Sequence, residues 1–465
     1  VAHEIAQVAA VTAGEESPKE TLLMNAKTAA HLASTSRSPE PMTAVDSAWY
    51  QVDGPANPAV VMSVVWTRSP VQLADLRALL KRRLLRFARF RQRVVPRSFA
   101  LGTPQWEDVP DFDIDDHLHL ATPPAPRSEA ALRSLLNSLA STGLNLARPP
   151  WQMHLVERVG RGSALVLRYH HCIGDGRAMM TVAARLFDLP PGAFAKPPSR
   201  RERRAPAGLI DKAGLVLDGA VSLAGSLLKW PDPPSPFKGP FMRSKHVAWS
   251  RPVALEEVKA ICEATGTKIN DVLVAATAGA LRSYLRRRGA EMRGRTLRAM
   301  VPIDLRLPEH ADRLGNEFGL AILELPVATA GAAQRLAQTH ERMSALKRSA
   351  EPLAMYLLFD LFGRGPKFVQ DVASLAFQAK TSLVMTNVIG PRLPIRLAGS
   401  EVERMMFCVP HPGTGMGLGL SLFSYAGHVT LGLIGDARLV PDPELIAKAF
   451  EREFAVLRRA VIKAG

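Results

Sequence analysis

Apolar positions along the chain fall into two recurring patterns. AVVMSVVW (59–66) is apolar at both alternating positions and predicts a buried strand. VQLADLRALLKRRLLRF (71–87) repeats its apolar residues at helical spacing, which puts Leu73, Leu76, Leu80, Leu84 and Phe87 on one face. SALVLRY (163–169) predicts a short strand that runs directly into two histidines. MTVAARLFDL (180–189) predicts a helix that stops at Pro190. In the second half, LEEVKAICEA (255–264), NDVLVAATAGALRSYLRRR (270–288) and residues 443–461 read as helices. TLRAMVPIDL (296–305), FGLAILELPV (318–327), SLVMTNV (382–388), GLSLFSY (419–425) and HVTLGLI (428–434) read as strands. The order is mixed α/β, in two halves joined near residues 190–240.

The 465 residues suit two substantial domains rather than one core. The expected organisation is a lobe over 41–190, a linker over 191–240 and a second lobe over 241–465. Residues 1–40, rich in Ala, Ser, Thr and Glu and without aromatics, read as a disordered extension. Met42 is a candidate true start, and the upstream stretch lacks the basic n-region of a signal peptide. Within the linker, GLIDKAGLVLDGAVSLAGSLLKW (208–230) has a helical period and many small residues. It fits either a core-packing helix or an interfacial helix lying on a membrane. No apolar run is long enough and free enough of charge to span a bilayer.

The net charge of +16 favours polyanions, although solvated helix faces account for much of it. Zinc-finger spacing, an RNA-binding aromatic signature and a helix-turn-helix are all missing, which argues against nucleic acid. Three cysteines far apart (Cys172, Cys262, Cys408) make neither a disulfide framework nor a zinc site, and point to a reducing compartment.

The candidate chemistry lies in RYHHCIGDGRAMM (168–180). Neighbours on a strand face apart, so His170 and His171 make a poor pair for one metal ion. Cys172 beside a histidine is a poor thiol nucleophile for the same reason. A histidine at a strand end, before a glycine-containing turn, can present its imidazole to a cleft as a general base. Asp175 then either orients the histidine or pairs with a buried arginine, and Gly176 allows a tight turn.

HHCIGDG resembles the H-H-x-x-x-D-G signature of the CoA-dependent acyltransferase superfamily. The rest of residues 42–460 is similar to one branch, the bacterial wax ester synthase/diacylglycerol acyltransferases. MTAVDSAWY (42–50), FRQRVV (90–95), WEDVPDFDIDDHL (106–118), RPPWQMHLVE (148–157), NDVLVA (270–275), VPIDLR (301–306), GNEFG (315–319) and TNVIGP (386–391) carry that resemblance in order. It departs from the family's pattern at Pro150, Thr386 and Ile389, which puts substrate preference in question.

The resemblance implies two chloramphenicol acetyltransferase-like lobes with a tunnel between them. His171, with His170 beside it, would be the catalytic pair, and His171 the base. It would take a proton from a fatty alcohol or diacylglycerol hydroxyl that attacks the thioester of acyl-CoA. CoA enters as a substrate and no cofactor is needed. Asp175 would be structural and paired with an arginine such as Arg91. Asn270 would contribute to an oxyanion site or cap its helix, and Asn387 would line the tunnel or sit in a turn. Arg177 would reach either toward CoA or into solvent. Basic residues would attract CoA phosphates and an anionic membrane or lipid-droplet surface, giving a cytoplasmic, peripherally associated protein. The competing expectations are a same-fold acyltransferase acting on a polyketide or other small-molecule hydroxyl, and a non-catalytic acyl-CoA or lipid-binding module.

Overall fold

The first half of the chain runs α1 (Ala44–Gln51), β1 (Val60–Thr67), α2 (Leu73–Arg83), β2 (Gln92–Val95), β3 (Gln105–Asp108), β4 (Leu118–Ala121), α3 (Glu129–Ala140), β5 (Trp151–Val159), β6 (Gly162–His170) and α4 (Gly176–Leu186). The second half runs β7 (Lys245–Trp249), α5 (Leu255–Thr265), α6 (Ile269–Arg287), β8 (Leu297–Asp304), β9 (Phe318–Leu325), α7 (Ala332–Arg348), α8 (Glu351–Arg364), β10 (Leu383–Ile389), β11 (Ser400–Cys408), β12 (Leu418–Tyr425), β13 (His428–Asp436) and α9 (Glu444–Ile462). These come from a computed structural model that describes residues 39–96, 102–122, 128–194, 232–349, 351–365, 379–411 and 415–462. The expected N-terminal extension (1–38 of it) and the helix expected over 208–230 lie outside the described residues.

Two mixed sheets form the frame. The first has the order β11-β1-β6-β5-β4, extended at one edge by the short strand Arg396–Leu397. The second has the order β9-β8-β10-β12-β13-β7, with Val253–Ala254 also paired to β13. β1 is buried along nearly its whole length, which explains why its sequence is a continuous apolar run instead of an alternation. The helical period over 71–87 breaks earlier than its apolar spacing suggests. α2 ends at Arg83, and short 3-10 turns over Leu84–Arg86 and Ala88–Phe90 carry the chain on. Leu76, Leu80 and Leu84 are buried, while Leu73 and Phe87 are only partly so.

The halves of the chain and the two sheets are not coextensive. β11 lies in the stretch expected to belong wholly to the second lobe (241–465), yet it pairs antiparallel with β1, Cys408 opposite Met62 and Arg404 opposite Trp66. The chain then returns to the second sheet, where β12 runs parallel to β10. One apolar core accordingly joins Val61, Leu165 and Tyr169 of the first sheet to Met300, Leu320, Val384 and Phe423 of the second. A separate core fills the space between the second sheet and the buried helix α6.

α8 packs closely on α1. A β-carbon at Gly363 would lie 1.8 Å from the carbonyl oxygen of Ala44. Backbone sits there on both sides, so neither side can give way. Gly363→Ala is therefore expected to lower the unfolding free energy by about 1–3 kcal/mol through overpacking, measured by denaturant titration.

Candidate active site

The end of β6 and the turn after it set the geometry. β6 stops at His170, and His171–Ile173 form a 3-10 turn. His171 N–H donates to the Ala59 carbonyl at 2.8 Å, which ties the turn to the start of β1. His170 Nδ1 accepts from Cys172 N–H at 3.2 Å and so caps the turn. The His170 ring is fully buried, with Nε2 3.5 Å from Asp53 Oδ1. It does not line the cavity described below, so the expectation that places it in the catalytic pair is corrected: His170 is a capping residue. Cys172 is buried, and burial pushes its thiol pKa well up, away from thiolate character.

His171 sits on the wall of a cavity of about 310 Å³ between the two sheets. The wall is mostly apolar and includes Met179, Met180, Met300, Met405 and Met406, with Phe318 and Phe423. Its polar members include Ser63, Tyr169, Thr386 and Asn387, with Asp175, Arg177 and Asp304 also on the wall. Arg177 is exposed and makes no ion pair among the described residues.

The Trp49 ring stacks on the imidazole of His171, centroids 3.9 Å apart and planes 8° apart. His171 Nδ1 lies 3.0 Å from Asn316 Oδ1. An amide oxygen only accepts, so Nδ1 carries the hydrogen and Nε2 keeps its lone pair. Nε2 has no hydrogen-bond partner among the described residues. Burial lowers the His171 pKa from 6.5 to about 4, so the ring is neutral near pH 7.

Asp175 is the hinge of the loop. Its Oδ1 caps α4 by accepting from Ala178 N–H at 2.8 Å. Its Oδ2 accepts from Arg306 Nη2 at 2.9 Å and from Glu317 N–H at 3.0 Å. Arg306 is 2% exposed and also donates to the carbonyls of Gly315 and Arg313. The expected partner, Arg91, is corrected: its guanidinium is bonded to the Leu85 carbonyl, within its own loop. Gly176 is also used differently from the expectation. It is the first residue of α4 and needs no left-handed backbone. Its lack of a side chain matters because a β-carbon would lie 2.7 Å from Val388 Cγ2 across the cavity wall.

Asn387 lies within β10, so it is a strand residue and not a turn residue, and it lines the cavity. Its Nδ2 donates to Asn270 Oδ1 at 2.6 Å. Asn270 itself is outside the cavity and is not the helix cap: α6 starts after Lys268, whose N–H donates to Asp271 Oδ2. Asn270 thus holds Asn387, and neither of the two roles expected for it is realised. Sequence reasoning missed Asp46, Trp49, Arg306 and Asn316 as residues of the site, although all four lie inside stretches already singled out, MTAVDSAWY, VPIDLR and GNEFG.

A neutral imidazole with a free lone pair, set in an apolar cavity between two mixed sheets, defines the class: a two-lobed acyltransferase of the chloramphenicol acetyltransferase type. Comparison with known proteins is specific. Residues 42–229 match the wax ester synthase/diacylglycerol acyltransferase catalytic domain, and residues 314–458 match the WS/DGAT C-terminal domain. The chain belongs to the wax ester synthase/diacylglycerol acyltransferase family. It is 28% identical over 427 residues to a putative diacylglycerol O-acyltransferase of Mycobacterium bovis, covering 85% of this chain and 90% of the relative. A probable diacylglycerol O-acyltransferase of Mycobacterium tuberculosis is 29% identical over 407 residues, covering 80% and 87%. Among solved structures, the wax ester synthase/diacylglycerol acyltransferase from Marinobacter aquaeolei VT8 superposes with a TM-score of 0.66 at 24% identity, covering 90% of this chain and 98% of that one. The first condensation domain of the calcium-dependent antibiotic synthetase shares the fold at a TM-score of 0.60 and 18% identity, covering 93% and 98%.

The two arginines separate cleanly by experiment. Arg306→Ala strands the buried Asp175 carboxylate and is expected to cost about 3–5 kcal/mol of unfolding free energy. Arg91→Ala, which breaks only a local loop contact, is expected to cost far less in the same denaturant titration.

Proposed function

We propose that the protein transfers a fatty acyl group from acyl-CoA to the hydroxyl of a long-chain alcohol or a diacylglycerol, giving a wax ester or a triacylglycerol. The observation that carries the reading is His171: a neutral base with an unpaired Nε2 on the wall of an apolar cavity. Nε2 takes the proton of the acceptor hydroxyl as its oxygen attacks the thioester carbonyl. The tetrahedral intermediate collapses with cleavage of the C–S bond, and the CoA thiolate takes the proton back from the imidazolium. No covalent acyl-enzyme forms. The acyl chain lies among the methionines, whose unbranched side chains adapt to different chain shapes. The phenol of Tyr169 has no partner among the described residues, and burial raises its pKa, so it stays a donor available to the carbonyl oxygen.

With palmitoyl-CoA and either hexadecanol or diacylglycerol, the protein is expected to form labelled ester. His171→Ala is expected to lower the rate by roughly 10²–10⁴-fold. No ester with either acceptor would overturn the lipid transferase reading, and an unimpaired mutant would overturn the base. The lowered pKa of His171 keeps the base unprotonated below neutrality, so kcat/KM should hold as pH falls to about 5 and drop toward about 4. For stability the sign is the same. The fold favours the neutral ring, so that contribution is complete above 6.5 and fades as pH falls from 6.5 toward about 4.

The lipid acceptors and the net charge of +16 support peripheral association with an anionic membrane or lipid-droplet surface on the cytoplasmic side. Among the described residues no helix is long and apolar enough to cross a membrane. The protein is expected to sediment with anionic vesicles at low salt and to leave them as salt rises. Protein that stays in the supernatant at low salt removes this part of the reading.

A further inference from the structure

The base is only half of what the loop at 315–317 touches. The Asn316 side-chain amide has every one of its hydrogen-bonding atoms committed. Its Nδ2 donates to Asp46 Oδ1 at 2.7 Å and to the His171 carbonyl at 2.8 Å. Its Oδ1 faces His171 Nδ1. Its backbone N–H also donates to Asp46 Oδ1, at 2.9 Å. Turning the amide over would aim an oxygen at a carboxyl oxygen and at a carbonyl oxygen, so this orientation is fixed by its surroundings.

Asp46 and Trp49 are three residues apart on α1 and share one face of that helix. One helix therefore supplies both the acceptor that orients Asn316 and the ring that stacks on His171. Asp46 is 2% exposed, and among the described residues its carboxyl is hydrogen-bonded to Asn316 and Thr43. Arg89 is the cation that acts on it through space, and the other titratable groups that feel its charge are Cys172 and Tyr356. Burial raises the Asp46 pKa to about 6. The loop is seated by its own backbone as well: Gly315 N–H donates to the Ile173 carbonyl at 3.1 Å, and Asp175 N–H to the Gly315 carbonyl at 3.3 Å. Gly315 has φ +107, and a β-carbon there would lie 3.2 Å from Asp46 Oδ2.

We propose that Asp46 and Asn316 are a positioning pair, drawn from the two halves of the chain, that holds His171 in the tautomer with Nδ1 protonated and Nε2 free. The pair touches no substrate. It acts through His171, and the inference rests on the reading of His171 as the base. The ring also hydrogen-bonds to the backbone of His171 itself, and the Asn316 oxygen adds to that hold; without it the hold on Nδ1–H weakens and the proton moves more readily to Nε2, where it blocks the acceptor hydroxyl. In the transition state the same oxygen holds the Nδ1–H of the imidazolium as positive charge develops on the ring.

Three measurements test it. Nitrogen-15 spectra of histidine-labelled wild-type protein at neutral pH are expected to show His171 protonated at Nδ1 alone; an Nε2-protonated ring overturns the pair. Asn316→Leu, which keeps bulk but removes the acceptor, is expected to lower kcat by on the order of 100-fold while the KM for palmitoyl-CoA moves by less than about 3-fold. A kcat within about 3-fold of wild type, in a variant with an unchanged circular dichroism spectrum, overturns it. Asn316→Asp places a carboxylate against Nδ1, and the acid limb of kcat/KM is expected to move up by more than about one pH unit. A purely structural role would leave that limb in place, and an unmoved limb overturns the proposal. Should either variant fail to fold, the wild-type spectrum still decides. A fully active His171→Ala removes the base reading and leaves the tautomer result standing, so the two failures are distinguishable.

Discussion

The carboxylate of Asp175 does two things at once. One oxygen caps α4, and the other accepts from the buried guanidinium of Arg306 and from the Glu317 backbone. The placement of the two loops of the site depends on this. The cap fixes where the turn after His171 ends, and the ion pair fixes where the 315–317 loop lies against it. A buried pair of this kind is weak evidence for stability, because desolvating both charges offsets much of their attraction. Its value here is geometric. The bonds of Arg306 to Gly315 and Arg313 mean that moving the loop would strand a charge as well as break a contact.

That rigidity matters because the proposed base, His171, works against its environment. Burial that keeps His171 neutral also disfavours the imidazolium that must form when it takes a proton. The groups that offset this are the backbone of His171 itself, then Asp175, acting through space, and the Asn316 oxygen at Nδ1. Both side chains are held by the second half of the chain or by contacts to it, whereas His171 belongs to the first. Trp49 limits the ring to one plane, so the free lone pair can point in only one direction within the cavity.

The strands β1, β6, β8 to β10, β12 and β13 and the helices α2, α4 to α6 and α9 were legible because their apolar periods are strong, and the H-H-x-x-x-D-G spacing pointed to the turn that lines the cavity. The separation of the two histidines was also legible, but for an incomplete reason. Strand alternation was invoked, whereas the chain changes conformation between them: His170 closes β6 and His171 opens a 3-10 turn. The partner of Asp175 was not legible. With 59 lysines and arginines in the chain, sequence offers no physical reason to choose Arg306, which is 131 residues away, over the nearer Arg91. Asp46 and Asn316 lay in stretches already noted, yet their pairing over 270 residues depends on tertiary packing alone. The helices α3, α7 and α8 and the strands β2 to β5, β7 and β11 were not read as elements at all. β11 reads as SEVERMMFC, whose first half is mostly polar and masks a strand that is continuously apolar only from Met405 on.

β11 also decides how the cavity can admit a substrate. It supplies Met405, Met406 and Phe407 to the wall, and it pairs with β1 from Cys408 to Val402, with a register shift between Arg404 and Val402. Its chain neighbours β10 and β12 belong to the second sheet. Pulling the sheets apart as rigid halves would therefore have to break the β11–β1 ladder or stretch the short connections on either side of it. Both are costly in backbone hydrogen bonds that water alone would have to replace. Opening by hinge motion of whole lobes is thus disfavoured by the fold itself. The remaining freedom lies in the side chains of the wall, where five methionines can change rotamer without disturbing either sheet. The cavity can then adapt its shape to an acyl chain while the hydrogen bonds around His171 stay fixed.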